Sequence, residues 1–126
     1  MNNDMISLAE RCEAATGPCE EMDADIALAV EWKHRSGKDW HLVLPWERPR
    51  YTASIDSAMT LIDSSTFFHI SRLDADGDGR SEARVYPNRH VGDDYKAEAA
   101  TPALALCAAS LRARALSTVS RGGVIE

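Results

Sequence analysis

Phe67–Tyr86 reads FFHISRLDADGDGRSEARVY, and this stretch decides the fold. Two runs of strand-favouring residues flank a loop that carries four acidic residues and two glycines. Side chains alternate across a strand, so Phe68, Ile70, Ala83 and Val85 are expected on a covered face. His69, Arg84 and Tyr86 then share the other face. The Asp-Gly-Asp-Gly core is hairpin chemistry, because glycine supplies positive φ and aspartate closes its own turn. Helical patterns precede and follow the hairpin. The expected architecture is therefore one compact α/β (α+β) domain: a small, mainly antiparallel sheet with a central β-hairpin, sandwiched by helices.

Before the hairpin, Met5, Leu8, Ala9 and Cys12 fall at i, i+3, i+4 and i+7, with Asn3 or Asp4 as cap, and Gly17-Pro18 ends that helix. Met22, Ile26, Ala29 and Val30 give a second stripe within about Cys19–Trp32. Glu20, Glu21, Asp23 and Asp25 read as its solvated, dipole-matched start. A third helix is expected from a Thr52 cap, with Ile55, Ala58, Met59 and Ile62 as its stripe. After the hairpin, Pro87–Ala100 is polar and reads as a loop. Thr101-Pro102 then opens a last helix with Leu104, Cys107, Ala108, Leu111 and Ala115 on one face. The domain is expected to span 1–116, with 117–126, which holds Gly122-Gly123, as a flexible tail.

The chain has 126 residues, 44% of them hydrophobic, which fits one soluble domain with a real core. Its net charge of −6 argues against a duplex nucleic-acid binder. No apolar run approaches the ~18 residues of a membrane span, and no basic-then-apolar start marks a signal peptide. Cys12, Cys19 and Cys107 are odd in number and lack CxxC spacing. They read as small buried hydrophobes of a reducing cytoplasm.

Arg50–Ile62, RYTASIDSAMTLI, and Ala99–Arg114, AATPALALCAASLRAR, resemble a family of small phage and prophage proteins known as the phage ABA sandwich domain. The likeness extends loosely to DADIALAV in the second helix and to the hairpin. It implies a layered α/β fold and expression in the cytoplasm of a bacterial host. It brings no activity and no catalytic residues.

Two stretches stand on their own chemistry. Asp74, Asp76, Asp78 and Glu82 fit D-x-D-x-D-G-x-x-E, a spacing that can wrap oxygens around calcium. An EF-hand is excluded, since its twelfth position is Val85 and strands replace its helices. The loop is then either a turn or a short calcium loop closed by Glu82, and calcium is the one cofactor the sequence raises. Lys33–Arg50 sets five cations against two carboxylates, a local charge of +3, and all three tryptophans lie in or beside it. His41–Leu44 inside it is expected as a short strand. Trp40, Trp46, Arg48, Arg50 and Tyr51, joined by Arg72 and Arg84, form the candidate binding face. Such a mixture suits a nucleotide-like small molecule, by stacking and phosphate forks, or a protein hot spot. The plain alternative is tryptophans in the core and cations in solvent.

No HExxH, Walker or GxSxG motif is present, and His34, His41, His69 and His90 are scattered. The expected function is thus non-enzymatic: a phage or prophage accessory protein, acting against host defence by sequestering a nucleotide-like signal or occluding a host protein complex. The competing expectations are a virion module with a calcium-stabilised loop and a phosphoester hydrolase. Self-association is compatible with either class.

Overall fold

The computed structural model of the chain describes residues 2–34, 36–38, 40–62, 67–73, 80–86 and 95–125. Helices α1 (Asn2–Ala14), α2 (Glu20–Ala29) and the short α3 (Ile55–Met59) precede strands β1 (Phe67–Leu73), β2 (Arg80–Tyr86) and β3 (Tyr95–Ala99), and α4 (Pro102–Ile125) follows them. The sheet is antiparallel with order β1-β2-β3. The fold is therefore the α+β arrangement expected from the hairpin. β1 and β2 pair over their full length, Phe67 opposite Tyr86 and Leu73 opposite Arg80. Ala83 and Val85 are fully buried, Phe68 and Ile70 pack against the core, and His69 faces solvent.

β3 lies within the stretch expected as a loop. Tyr95-Lys96-Ala97-Glu98-Ala99 pairs with β2, Val85 opposite Tyr95 and Ser81 opposite Ala99. Its alternation is as regular as that of β2: Ala97 and Ala99 are buried, while Lys96 and Glu98 are exposed. The small alanines weaken its apolar signal, yet they suit a strand pressed under a helix.

That helix is α4. Thr101 caps it, its Oγ1 accepting from Leu104 N at 3.2 Å, and Pro102 takes the first turn, where no N–H is needed. Residues 103 to 111 are buried without interruption. One side lies on β2 and β3, and α1 and α3 cover the others. The helix runs on to Ile125, through residues expected as a tail.

α1 buries Leu8, Ala9 and Cys12 against α4, as its spacing predicts. Burial pushes the Cys12 thiol up to about 12 and the Cys107 thiol well above its ordinary value, which favours the neutral thiol at both positions. α3 departs from its expected form. Ser54, not Thr52, caps it, and it lasts five residues. Ala58 and Leu61 are buried, whereas Ile55 and Met59 stand partly exposed. Arg114 of α4 then donates from Nε to the Leu61 carbonyl at 2.8 Å, closing off this end of the segment.

A charged clamp joins α1, α4 and the sheet. Both Arg112 Nη atoms donate to the Glu13 carboxylate, at 2.7 and 2.5 Å. Arg80 Nη2 on β2 donates to the Glu13 carbonyl at 3.3 Å and to the Glu98 carbonyl at 3.1 Å. Arg112 holds the Glu13 carboxyl below its usual range, overcoming the opposite pull of burial. Because the folded value is depressed, the clamp stabilises above about pH 4.5 and fades as pH falls through the folded value. Glu13→Gln should therefore cost about 1 kcal/mol at pH 7, the lower end for a charged hydrogen bond because the pair is partly solvated. The difference from wild type in urea unfolding should shrink as pH drops below 4.5.

Candidate functional site

The basic, tryptophan-rich stretch leaves α2 through a left-handed turn. Glu31 takes φ 57, its N–H donates to Leu28 O, and Trp32 N–H reaches back to Ala27 O at 2.8 Å. This is the helix end that glycine usually makes, here with a glutamate in the left-handed position. The turn sends Trp32 across to Trp40, whose ring meets it edge-on at 6.0 Å and 75°. Gly37, at φ 89, closes a tight turn between them, with Gly37 N–H on His34 O at 2.7 Å.

His41–Leu44, expected as a strand, is not one: His41 and Leu42 lie in a turn of 3-10 helix, Trp40–Leu42, and Val43 and Leu44 link it to a second, Pro45–Glu47. Pro45 explains this, since it removes a ladder donor and suits the first position of a helical turn. Trp40 is buried. The Arg48 guanidinium sits 5.6 Å from the centre of its ring, and Arg48 Nε donates to the Trp40 carbonyl at 2.9 Å. Tyr51 is also buried, and its carbonyl accepts from Cys107 Sγ at 3.1 Å.

The far end of the stretch is locked to α2 by a group the sequence reading left in solvent. Asp23 is 2% exposed. Its Oδ1 accepts from both Thr52 N and Thr52 Oγ1, each at 2.8 Å, while Cys19 N donates to Thr52 Oγ1 at 2.9 Å. Thr52 is thus a buried tether rather than a helix cap. The signal was legible in the spacing: Asp23 shares the face of Met22, Ile26 and Ala27, all buried. Burial pushes the Asp23 carboxyl up, against the downward pull of the Thr52 hydrogen bonds and the Arg50 charge.

Between these anchors the chain turns apolar side chains outward. Trp46 is 78% exposed, Leu42 68% and Leu44 50%, while Val43 points in. Lys38 and Arg50 are exposed beside them in sequence. Glu47 is turned back on its own segment, accepting from Leu44 N at 3.4 Å and lying 3.6 Å from His34 Nε2. Of the expected binding face, Trp46 and Arg50 remain at the surface. Trp40 and Tyr51 belong to the core, and Arg48 is occupied with Trp40.

The remaining two residues of the expected face are Arg72 and Arg84. They lie on β1 and β2, and the ladder sets position 72 opposite Ser81 but Arg84 opposite His69 and Lys96, in rows of alternate parity. Asp74, Asp76 and Asp78 lie outside the described residues. Glu82 is on β2, 3.1 Å from Arg84 Nε and 3.9 Å from Lys96 Nζ. Among the described residues no three His, Cys, Asp or Glu side chains gather as a metal set. A separate groove of about 330 Å³ runs between α1 and α2, bordered by Leu8 and Leu28 and bridged by the Arg11–Asp25 pair at 3.0 Å.

The geometry is that of a small α+β domain presenting an apolar and basic turn on buried aromatic anchors. Comparison with protein-family models, curated proteins and solved structures finds no match. Among the described residues no helix is long and apolar enough to cross a membrane.

Asp23→Asn keeps an acceptor for both Thr52 donors and removes the buried charge. The raised folded value means that Asp23 favours folding when protonated and loses that contribution as pH rises through the folded value. The variant should gain stability relative to wild type as pH rises from 3.8 to 7. Thr52→Val should instead lose about 1–3 kcal/mol at pH 7, because it removes the hydroxyl donor to the buried carboxylate and the acceptor of Cys19 N while keeping the backbone donor. Chemical unfolding across pH checks both.

Proposed function

We propose that this chain is a non-enzymatic binding protein that docks on another protein through Leu42, Leu44 and Trp46. In this reading it is a phage or prophage accessory protein, working in the cytoplasm of a bacterial host by occluding a defence complex. The observation that carries the docking reading is the exposed Trp46 on a turn fixed from both ends. An indole held in water by a rigid backbone needs little ordering to bind, which is the quality that makes interface hot spots. The phage setting is carried by the resemblance of Arg50–Ile62 and Ala99–Arg114, not by the geometry.

Sequestering a nucleotide-like signal is the weaker reading. It needs open ring faces beside free guanidinium groups. Trp40 and Tyr51 are buried, and Arg48 is spent on Trp40, so within Trp40–Tyr51 one exposed ring and Arg50 remain of the expected set.

Trp46→Ala should leave stability within about 0.5 kcal/mol of wild type, as an exposed truncation does. It should abolish affinity capture of a host protein from bacterial lysate. Trp40→Ala should cost about 3–5 kcal/mol by emptying a core site. Retention of the same captured protein by Trp46→Ala, scored by mass spectrometry, would count against the docking reading.

A further inference from the structure

We infer that the outer edge of β1 pairs antiparallel with β1 of a second copy of this chain, joining the two sheets edge to edge. The surface is a different one from Leu42–Trp46, and the docking reading stands or falls without it. β1 pairs with β2 along one edge over Phe67–Leu73. Among the described residues no other strand pairs with its second edge, the order being β1-β2-β3. That edge is about 23 Å of strand whose outward N–H and C=O groups need partners. The opposite edge of the sheet is treated differently. β3 is shorter, and Lys96 and Glu98 stand exposed on it. α1 packs beside it, and Arg80 Nη2 donates to the Glu98 carbonyl at 3.1 Å. Short length, charge and a covering element are the devices that keep an edge strand from pairing. β1 is seven residues long and holds neither lysine nor proline.

The inward residues of β1 are also incompletely covered, because α4 lies chiefly over β2 and β3. Ala83, Val85, Ala97 and Ala99 are buried, whereas Phe68 and Ile70 are only partly so. A strand added beside β1 brings both of them apolar cover as well as backbone partners. The pattern of β1 suits a second copy as that strand. A two-fold axis at Ile70 overlaps all seven residues of the strand. Ile70 then meets its own copy, Phe68 meets position 72, and His69 meets Ser71. Opposed residues share a side of the sheet, so the Ile70 pair lies on the α4 side and His69 and Ser71 on the open side. Neither basic position of the strand, 69 or 72, is set against itself, and like charges directly opposite would be unfavourable. Moving the axis to His69 or Ser71 keeps the faces matched but shortens the overlap, and at His69 it opposes two imidazoles.

The test is sedimentation velocity of the full chain, paired with cysteine crosslinking in a Cys19→Ser background. Wild type should sediment as a dimer at about 100 μM. Ile70→Lys sets two ammonium groups at the axis and should weaken the dimer at least about tenfold, with the far-ultraviolet circular dichroism of wild type retained. Under mild oxidation by copper phenanthroline, Ile70→Cys should give a covalent dimer, since directly opposed residues lie within disulfide reach. Ser71→Cys should give far less, because two residues of offset separate the paired thiols' Cα atoms by about 8 Å. Should Ile70→Lys fail to fold, the contrast between the two cysteine variants decides. A wild-type chain that stays monomeric overturns the inference, whatever crosslinks form. Crosslinking at position 71 in preference to 70 overturns the two-fold pairing at Ile70. A dimer that Trp46→Ala dissociates and Ile70→Lys does not belongs to the Leu42–Trp46 turn, and overturns the inference as well.

Discussion

Residues 103 to 111 of α4 are buried in unbroken succession, and a helix apolar on every side needs neighbours on every side. The sheet covers one flank, and α1 and α3 cover the rest. The alanines of α4 let these layers come close, and Leu104, Leu106 and Leu111 fill the space between them. Truncating any one of these leucines would cost about 2–5 kcal/mol, comparable with a large part of a small domain's stability. The polar ties act on this frame at its edges. Glu13–Arg112 fixes α1 to α4, Arg114 fixes the chain after α3, and Cys107 Sγ reaches the Tyr51 carbonyl. The core helix thus also fixes the chain at Tyr51, just past the exposed turn.

Much of this was legible in the residues. The hairpin, the apolar faces of α1, α2 and α4, and the Thr101-Pro102 start follow directly from local period and cap chemistry. β3 was missed because its inward residues are alanine, whose weak apolar signal was outweighed by the polar residues before it. Thr52 was misassigned because a threonine ahead of an apolar run looks like a cap until tertiary structure claims its hydroxyl. Asp23 illustrates the opposite error. Its acidic neighbours suggested solvent, but its position on the Met22–Ile26 face placed it inside.

The candidate site was legible as a region and not as a residue set. Composition alone located the unusual stretch, since tryptophan and arginine concentrate there. Which tryptophan faces solvent is a question of backbone phase, and a mixture of Pro, Trp and Arg does not reveal it. The acidic hairpin loop stands differently. Its closing residue, Glu82, is held by Arg84 and Lys96, so an ion bound there would compete with two cations for that carboxylate.

The exposure of Trp46 follows from local geometry rather than from lack of room inside. In a 3-10 turn, side chains three apart share a face, and Trp40 and Val43 both point inward. Continuing that phase would bring Trp46 inward too. Instead Leu44 is extended, at φ −68 and ψ 148, as a residue before proline prefers. Pro45 then starts a second turn with a new phase, and Glu47 holds it by accepting from Leu44 N. The outward indole is therefore set by one proline and one carboxylate between two buried anchors. A side chain that escapes the core through flexibility would be free to fold back onto the surface. This one is held away from it by the backbone on either side.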